Sequence, residues 1–467
     1  MILSLFKKNA IFAAVLMLGV YLGWPESSQA GEMRFPAPEF VSEYTFPETT
    51  IPDPTQEWQQ WVDVLVLAAT LSLGALFAIK LRTRKGLFWL MLFSLGYFGF
   101  YKQGCVCPIG SIQNMTMSIF NTHYAIPVTV MIFFLLPLAY SLFFGRVFCA
   151  SVCALGAIQD LVVLKPIQLP KKVTTGLSMI PYIYLGTAVL LTATNAGMAI
   201  CKYDPFIGFF RLNGHAPYLY LGAGFLLVGM FVARPYCRFF CPYGVLLGWM
   251  SRFARWHLSI TPTVCIDCRL CEESCPFDAI DKPNAGLTKE DRHSGAHRLG
   301  YLFVMVPVLI LLCGWIGYRM AEPLSRQHRT VALAEQIVLE KQDSNMPTTI
   351  ESDTFRAKGQ TEEDLFSKAA QIRSRMSTGG WLLGGFIGLV FGVKLINVSL
   401  SRTQIGYEVR KSDCYSCGRC CSYCPSDDMH RPNFVPGTPA FEASQAILMQ
   451  PQAPAEKSGG KEKVTMS

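Results

Sequence analysis

Charged residues are scarce in this sequence: Asp, Glu, Lys and Arg make up 16% of its 467 residues, whereas 51% are hydrophobic. This balance is too apolar for an ordinary soluble protein of such length, so it disfavours a soluble enzyme and favours a membrane protein. The sequence has no Cys-x-x-Cys-His motif, which argues against a covalent c-type haem. It also lacks a P-loop and a G-x-G-x-x-G fingerprint, so direct ATP or NAD chemistry has no support.

Long apolar runs accompany the low charge. Seven of them are long enough, or nearly long enough, to cross a bilayer as helices. The runs occupy residues 61–80, 86–101, 124–144, 176–200, 216–233, 300–318 and 380–399. They contain almost no ionisable residues apart from Asp63 and Lys394, which disfavours a solute transporter because transport pathways usually carry paired charges.

The N-terminus predicts an export signal. Lys7 and Lys8 precede an apolar stretch, and small residues around Ala30 provide a cleavage site. Residues 1–30 are therefore expected to form a signal peptide or an uncut signal anchor. Five prolines in residues 31–60 predict an exported, extended linker.

The net charge of +8 comes mainly from Lys and Arg in the loops that follow alternate apolar runs. This is the positive-inside pattern of a multi-pass protein of the bacterial cytoplasmic membrane, so no nucleic-acid partner is expected. The pattern predicts that the loops near 150 and at 237–298 face the cytoplasm together with the C-terminus. The loops near 105, near 201 and at 319–379 are predicted to face outward.

Seventeen cysteines are the most informative feature of the sequence. Most lie on the predicted cytoplasmic side, where disulfides seldom persist, so metal binding is the better interpretation. Two runs have the C-x2-C-x2-C-x3-C-P spacing of bacterial ferredoxins. The first run contains Cys265, Cys268, Cys271 and Cys275, and the second contains Cys414, Cys417, Cys420 and Cys424. A zinc site is disfavoured, because zinc sites usually use two separated cysteine pairs. Cys421 is an extra thiol, either an alternative ligand or a bystander.

The two runs predict two [4Fe-4S] clusters that exchange one ligand. In two-cluster ferredoxins the fourth Cys of each run ligates the other cluster. The predicted ligands are Cys265, Cys268, Cys271 and Cys424 for cluster 1, and Cys414, Cys417, Cys420 and Cys275 for cluster 2. Two predicted spans separate the runs, and an even number of spans returns the chain to the same face, so the two halves can meet in the cytoplasm.

A shorter pattern, Cys-(Pro/Ala)-x-Gly, occurs three times beside apolar runs, at Cys107, Cys153 and Cys241. It predicts a helix start with the thiol at the cap, where free backbone N–H groups favour a thiolate. Packing, a redox-active thiol pair and ligation of a further metal centre all remain open interpretations. The cysteines concerned are Cys105, Cys107, Cys149, Cys153, Cys201, Cys237 and Cys241. The isolated Cys313 is interpreted as a small hydrophobic residue.

The segments Gly145-Arg-Val-Phe-Cys149-x3-Cys153-x-Leu-Gly-Ala-Ile-Gln159 and Tyr236-Cys237-Arg-Phe-Phe-Cys241-Pro-Tyr-Gly precede the run at Cys265. In order and spacing they resemble the membrane core of the NosR/NapH family of membrane polyferredoxins, over roughly residues 60–280. The resemblance implies electron transfer between the quinone pool or cytoplasmic side and a periplasmic reductase, such as nitrous oxide or nitrate reductase. It also implies a quinone or quinol and a periplasmic reductase or flavoprotein as partners.

The sequence departs from the family pattern in three respects. Ala154 stands where the family has Pro, so a looser helix start is expected there. The few residues before the first run leave no room for the covalent flavin domain of NosR-type proteins. The two ferredoxin runs, usually close together, are separated by two predicted spans.

The predicted fold is an all-α integral membrane protein of about seven transmembrane helices plus the N-terminal signal or anchor, with a cytoplasmic bacterial-type 2[4Fe-4S] ferredoxin-like module. After residues 1–30 and 31–60, the expected segments are a membrane core at 61–257, ferredoxin-like segment 1 at 258–298, a transmembrane helix at 299–318, an exported segment at 319–379 with an amphipathic helix at 331–340, a transmembrane helix at 380–399, ferredoxin-like segment 2 at 400–447, and a disordered tail at 448–467.

The predicted function is an iron–sulfur electron relay, an electron-transfer component such as a quinol dehydrogenase subunit rather than a stand-alone catalyst. The alternative is a redox-sensing or maturation factor for a periplasmic metalloenzyme. His123 and His215, near the predicted outer surface, are either haem or quinone contacts or ordinary loop histidines. The catalytic residues, the electron donor and the acceptor are not specified by the sequence.

Overall fold

The structure is a computed structural model that describes residues 56–104, 108–121, 124–164, 166–211, 216–258, 260, 268–283, 292–342, 348–359, 361–399 and 406–424. The predicted signal segment 1–30, most of the linker 31–60 and the tail 448–467 lie outside these residues, as do Cys105, Cys107 and Cys265. His123 and His215 lie outside them as well. Within the described part, the chain is almost entirely helical, with one sheet of two short strands.

The first half of the chain forms a bundle of helices. They are α1 (Glu57–Ala75, continued by a π-helix Leu76–Lys80), α2 (Arg84–Ser94, continued by a π-helix Leu95–Tyr101), α3 (Pro108–Phe120), α4 (Val128–Phe144), α5 (Val147–Ser151), α6 (Ala154–Leu161), α7 (Lys171–Leu177), α8 (Ile180–Ala193), α9 (Ala199–Lys202), α10 (Ile207–Arg211), α11 (Ala216–Gly229), α12 (Pro235–Phe239) and α13 (Pro242–Arg252). Their shared core includes Leu71, Ile109, Phe206 and Tyr243, all fully buried. Large apolar side chains such as Trp89 and Leu227 are exposed on the outside, as expected for a surface that contacts lipid.

The second half adds two long helices and the ferredoxin segments. Its elements are α14 (Leu270–Glu273), β1 (Ile280–Asp281), α15 (Arg292–Ser325), α16 (Arg329–Gln342), α17 (Ile350–Ala357), α18 (Glu362–Ser399), β2 (Glu408–Val409) and α19 (Arg419–Tyr423). Helices α15 and α18 extend well beyond the predicted spans at 300–318 and 380–399. Helix α16 covers the stretch 331–340 that was predicted to be an amphipathic helix, and its apolar side packs on α17 and α18.

Four helices among the described residues are long and apolar enough to cross a membrane. They are Glu57–Lys80, Lys171–Ala193, Gly295–Ser325 and Glu362–Ser399, and two shorter apolar helices are Val128–Phe144 and Pro217–Gly229. The chain is therefore a mostly helical protein with four candidate spans, and the predicted total of about seven stays a prediction.

Helices α15 and α18 pack closely along a row of glycines. Gly380, Gly384, Gly388 and Gly392 recur every fourth residue of α18; the first three face the backbone of α15, and Gly392 faces the Val306 side chain. A Cβ atom on Gly380 would lie 2.6 Å from the Gly317 carbonyl oxygen, and one on Gly388 would lie 2.5 Å from the Leu309 carbonyl oxygen. Only glycine permits this approach, which is the small-xxx-small packing typical of membrane helices.

The α15–α18 hairpin returns the chain to the first ferredoxin segment. Strand β1 pairs antiparallel with β2, with Ile280 opposite Val409. The Arg410 amide donates to the Ala279 carbonyl oxygen at 2.8 Å. Helix α14 packs on α19, which places Cys271 beside Cys420 and Cys421. Two segments that lie far apart in the sequence therefore form one small unit.

Candidate metal centres

Cysteines from both ferredoxin runs meet around one apolar cluster. Phe277, Ala279 and Tyr415 are buried together, and Cys275 of the first run packs on them beside Cys414 and Cys417 of the second. The Phe277 and Tyr415 rings lie 4.5 Å apart between their centroids. The structure thus brings the fourth cysteine of the first run to the second run.

The thiols of the second run are buried or half-buried, and two of them receive backbone hydrogen bonds. Burial raises the pKa of Cys414 to about 12, and the Ser416 amide, which donates to Cys414 Sγ at 3.4 Å, opposes that rise. Burial also raises the pKa of Cys417, and the Arg419 amide opposes it. A metal that binds both sulfurs as thiolates would remove the need for protonation, so this donor set fits an iron–sulfur cluster.

The other predicted ligand set is only partly described, because Cys265 lies outside the described residues. Cys268 is exposed, Cys271 is buried and Cys424 is half-buried. Cys421, the extra thiol, is buried in the same apolar cluster as Cys271 and Cys420. The assignment of Cys265, Cys268, Cys271 and Cys424 to one cluster stays a prediction.

A second group of thiols comes from two of the repeated motifs. Cys149 and Cys153 lie on α5 and at the start of α6, and Cys237 and Cys241 lie on α12 and at the start of α13. Burial raises the pKa of Cys241 well above its ordinary value, and the nearby thiols of the other three cysteines add to that rise. Burial raises the pKa of Cys237 well above its ordinary value, and the Cys153 thiol adds to that rise. The structure therefore gathers all four thiols at one place.

Hydrogen-bond donors point at these sulfurs. The Gln159 side-chain amide donates to Cys237 Sγ at 3.2 Å, while its oxygen accepts from the Tyr236 amide at 3.0 Å. The Gly244 amide donates to Cys241 Sγ at 3.4 Å. Burial raises the pKa of Cys153 to about 12, and backbone hydrogen bonds from Gly156 and Leu155 oppose the effect. Three of the four sulfurs are therefore held in defined orientations.

Two buried arginines lie between the two groups of cysteines. Arg234 is 1% exposed and has a left-handed backbone, with φ of 49°. Its guanidinium pairs with Asp160 through Nη2–Oδ2 and Nε–Oδ1 contacts of 3.0 and 3.2 Å, and it donates to the Cys149 carbonyl oxygen. Its carbon Cζ lies 5.8 Å from the centre of the Tyr415 ring. This residue therefore connects the membrane core to the ferredoxin unit.

Arg146 is the second buried arginine. It donates to the Gly244 carbonyl oxygen and lies 5.2 Å from the centre of the Tyr415 ring. Its Nε atom is buried and has no hydrogen-bond partner among the described residues. Both arginines therefore place positive charge next to the thiols rather than in solvent.

Comparison with known proteins identifies the family. A family profile described as a 4Fe-4S binding domain matches residues 126–170 and 215–261, and a second profile of the same description matches residues 258–281. The uncharacterized protein MJ0750 of Methanocaldococcus jannaschii is 32% identical over 191 residues, which are 39% of this chain and 77% of that protein. The chain belongs to the 4Fe-4S polyferredoxin family.

Other relatives of this polyferredoxin match over shorter shares of their length. The putative electron transport protein YccM of Escherichia coli is 23% identical over 36% of this chain and 52% of its own. The regulatory protein NosR of Stutzerimonas stutzeri is 25% identical over 44% of this chain and 30% of its own. No solved structure matches the chain. The resemblance to NosR-type polyferredoxins is thus confirmed, and the polyferredoxin is a multi-pass membrane protein of the ferredoxin type.

The cysteines that are predicted to face outward are described only in part, because Cys105 and Cys107 lie outside the described residues. Cys201 is exposed, and its amide donates to the Gln113 side-chain oxygen at 3.3 Å. Gln113 holds the position in the first motif that Gln159 holds in the second. Cys313 lies on α15 at the contact with α18.

Sequence reasoning missed several residues that build the site. Arg146 and Arg234 were counted as basic loop residues in the positive-inside pattern, but both are buried. No sequence pattern identifies Asp160 or Tyr415 as part of the site. A glutamine stands at the same position in two of the motifs, as Gln113 and Gln159, and this repetition is the sequence signal that could have identified Gln159 as a site residue.

Proposed function

We propose that this polyferredoxin passes electrons one at a time between the quinone pool or the cytoplasmic side and a periplasmic reductase, through two [4Fe-4S] clusters of a split ferredoxin module. The observation that carries this proposal is the packing of Cys275 beside Cys414 and Cys417, with β1 paired to β2. In a two-cluster ferredoxin, the fourth cysteine of one run reaches the other cluster in this manner.

The residues of the module divide into ligands and supporting groups. The proposed ligands of one cluster are Cys414, Cys417, Cys420 and Cys275, and those of the other are Cys265, Cys268, Cys271 and Cys424. When bound, a [4Fe-4S] cluster supplies a one-electron redox couple whose potential depends on burial and hydrogen bonds. The amides of Ser416 and Arg419 donate to ligand sulfurs, and the rings of Phe277 and Tyr415 exclude water from them.

The membrane arrangement is part of the same proposal. We place the module and the C-terminus in the cytoplasm and residues 319–379 outside, with about seven spans and a signal or anchor at residues 1–30. The distribution of Lys and Arg supports this orientation. A quinone or quinol and a periplasmic reductase or flavoprotein are the proposed partners, and the relation to NosR and to the putative electron transport protein YccM supports them.

A second candidate function is redox sensing or assistance in the maturation of a periplasmic metalloenzyme. It is favoured by the description of the NosR relatives as regulatory proteins. The two functions differ in when the protein is needed. An electron relay is required during every turnover of its reductase, whereas a maturation factor is dispensable once the reductase has been assembled. Depleting the polyferredoxin from membranes that already contain the mature reductase therefore separates the two functions.

The cluster assignment is tested with Cys275→Ser in the full-length protein, purified anaerobically in detergent. We expect loss of the cluster bound by the second run, seen as a lower iron and sulfide content and the loss of one reduced-cluster signal in electron paramagnetic resonance spectra. Cys313→Ser is the matched control, since it changes a thiol of α15 that lies away from the module. Loss of the first-run cluster alone would contradict the exchange of ligands between the runs.

A further inference from the structure

We infer that Cys149, Cys153, Cys237 and Cys241 hold a third iron–sulfur cluster, at the junction of the membrane core and the ferredoxin module. The inference deepens the proposed function, on which it rests for its source of electrons. The four thiols come from two Cys-x3-Cys helix starts on separate parts of the bundle. Cys149 and Cys237 pack on one apolar cluster, and Cys149 and Cys153 pack on the core that contains Cys241. No disulfide joins any of the described cysteines, so all four are available as ligands.

The surroundings of the four thiols are largely apolar. Cys241 is buried, and Cys149 and Cys153 pack against the core of the bundle. Cys153 also lines an apolar cavity with Phe148, Val152 and Leu155, so there is space beside its sulfur. Four thiols in apolar surroundings, with N–H donors from Gln159 and Gly244, match the conditions under which iron–sulfur clusters are bound and tuned.

The charge balance at the site requires an anion. Arg146 is buried, and among the described residues no carboxylate lies within ion-pair distance of it. Its Nε atom is also without a hydrogen-bond acceptor in that part of the chain. A buried, unneutralised guanidinium is costly, and a buried polar group without a partner usually marks a missing ligand. Arg146 donates to the Gly244 carbonyl oxygen, and the Gly244 amide donates to Cys241 Sγ, so an anionic cluster of thiolates at this place would help to neutralise the guanidinium.

A single metal ion bound by three or four of these side chains is disfavoured. A tetrahedral zinc site, with bonds of about 2.3 Å, holds its sulfurs about 3.8 Å apart. Among the described residues, no three Cys, His, Asp or Glu side chains form a group of that kind. A cluster of several irons holds its four thiolates farther apart.

The family comparison points to the same four residues. The profile described as a 4Fe-4S binding domain matches residues 126–170 and 215–261, and the cysteines in these two ranges are Cys149, Cys153, Cys237 and Cys241. The ferredoxin run from Cys265 is matched by a different profile. The four membrane-core thiols therefore account for a cluster-binding domain that the ferredoxin runs do not explain.

The position of the site suits transfer to and from the module. Cys149 and Cys237 pack against the same apolar cluster, around Phe277 and Tyr415, as Cys275. The Tyr415 hydroxyl donates to the Cys237 carbonyl oxygen at 3.2 Å. With clusters bound, an electron would cross between the module and the membrane core through this one shared layer of side chains, and oxidation of a module cluster would be balanced by reduction of the membrane-core cluster.

The test uses the full-length protein, purified anaerobically and analysed for iron, sulfide and zinc and by electron paramagnetic resonance during reductive titration. The wild type should hold about twelve irons, the sum for three [4Fe-4S] clusters. Cys241→Ser should lose about four of them and one signal, while the ferredoxin signals remain. Cys313→Ser should lose none. A wild type with eight irons that Cys241→Ser leaves unchanged, or zinc that is lost with Cys241, would overturn the inference.

A milder variant keeps the test informative where Cys241→Ser destabilises the fold. Gln159→Leu removes the donor to Cys237 Sγ but no ligand, so the iron content should stay constant. Because N–H donors to sulfur raise a cluster potential, the potential of the third signal should fall while those of the ferredoxin signals stay unchanged. No change in any potential would contradict the site. Cys275→Ser reports on the module separately, so failure of the proposed function is distinguishable from failure of this inference.

Discussion

Replacing Asp160 with Asn tests how much the buried ion pair with Arg234 stabilises the fold. The Arg234 side chain is 1% exposed and that of Asp160 is 12% exposed, and two hydrogen bonds join them. Asparagine keeps one acceptor but removes the negative charge and directs an NH2 group toward a donor. Leaving a buried guanidinium without its counter-ion costs about 3–5 kcal/mol. We therefore expect Asp160→Asn to lower the free energy of unfolding by about that amount.

The assay is a denaturant titration of the purified protein in detergent, followed by tryptophan fluorescence. The matched control is Asp364→Asn, which breaks the exposed Lys368–Asp364 pair and should change the free energy of unfolding by about 0.5 kcal/mol or less. In the double variant with Arg234→Met, part of the lost stability should return, because the uncompensated charge is gone. A loss below about 1 kcal/mol in Asp160→Asn would refute the role given to this pair.

The same ion pair predicts a pH dependence. Burial acts against ionisation of Asp160, but the charge and hydrogen bonds of Arg234 outweigh it and lower the pKa below the ordinary value of 3.8. A carboxyl whose pKa is depressed by folding adds stability above its unfolded pKa and loses that contribution as the pH falls through the folded pKa. The wild type should therefore lose its advantage over Asp160→Asn as the pH is lowered below about 3.8. A difference between the two proteins that stays constant with pH would contradict the lowered pKa.

Two further predictions concern the membrane arrangement. Gly384→Ala should weaken the α15–α18 hairpin by about 1–3 kcal/mol, because the added methyl group meets the backbone of α15. The control Gly385→Ala should have little effect, since a Cβ atom there lies 3.6 Å from the nearest side-chain atom. Equal losses of stability in the two variants would refute the close approach of the helices. A reporter that is active only in the periplasm should be active when fused near residue 345 and silent near residue 430, and activity at 430 would reverse the proposed orientation.

The ferredoxin unit illustrates what the sequence predicts well. The two cysteine runs have a spacing fixed by cluster geometry, so the sequence alone predicts that they bind iron–sulfur clusters. The even number of predicted spans between the two runs also indicates that the two ferredoxin-like segments lie on the same side of the membrane and can meet. The strands that join them were not predicted, because β1 and β2 have two residues each and show no alternating pattern.

The arginines show where sequence reasoning fails. Arg146 and Arg234 lie near short loops, and a count of loop charges treats every basic residue alike. Their burial depends on contacts with Tyr415, which lies far along the chain, and with Asp160. Long-range packing of this kind leaves no local pattern. The convergence of the membrane cysteines depends on the same tertiary contacts, so the repeats indicated their importance but not that they form one group.

The row of glycines on α18 could have been recognised from the sequence, since Gly380, Gly384, Gly388 and Gly392 have the spacing of a membrane helix contact. The spacing places one small residue on the same side of the helix at nearly every turn. Interpreting it as a contact needs a partner helix, and α15 is the partner that the structure supplies.

The hairpin of α15 and α18 also sets the order in which the protein is built. Cys275 is synthesised before the hairpin, and Cys414 and Cys417 come after it. During synthesis, Cys275 therefore has no companions from the second run until both long helices have been made and returned the chain to the first segment. Iron delivered to this module before that moment meets an incomplete set of ligands. On the proposed ligand assignment, completion of the cluster marks a fully threaded chain, and a protein arrested within the hairpin would be recognisable by the iron it fails to retain.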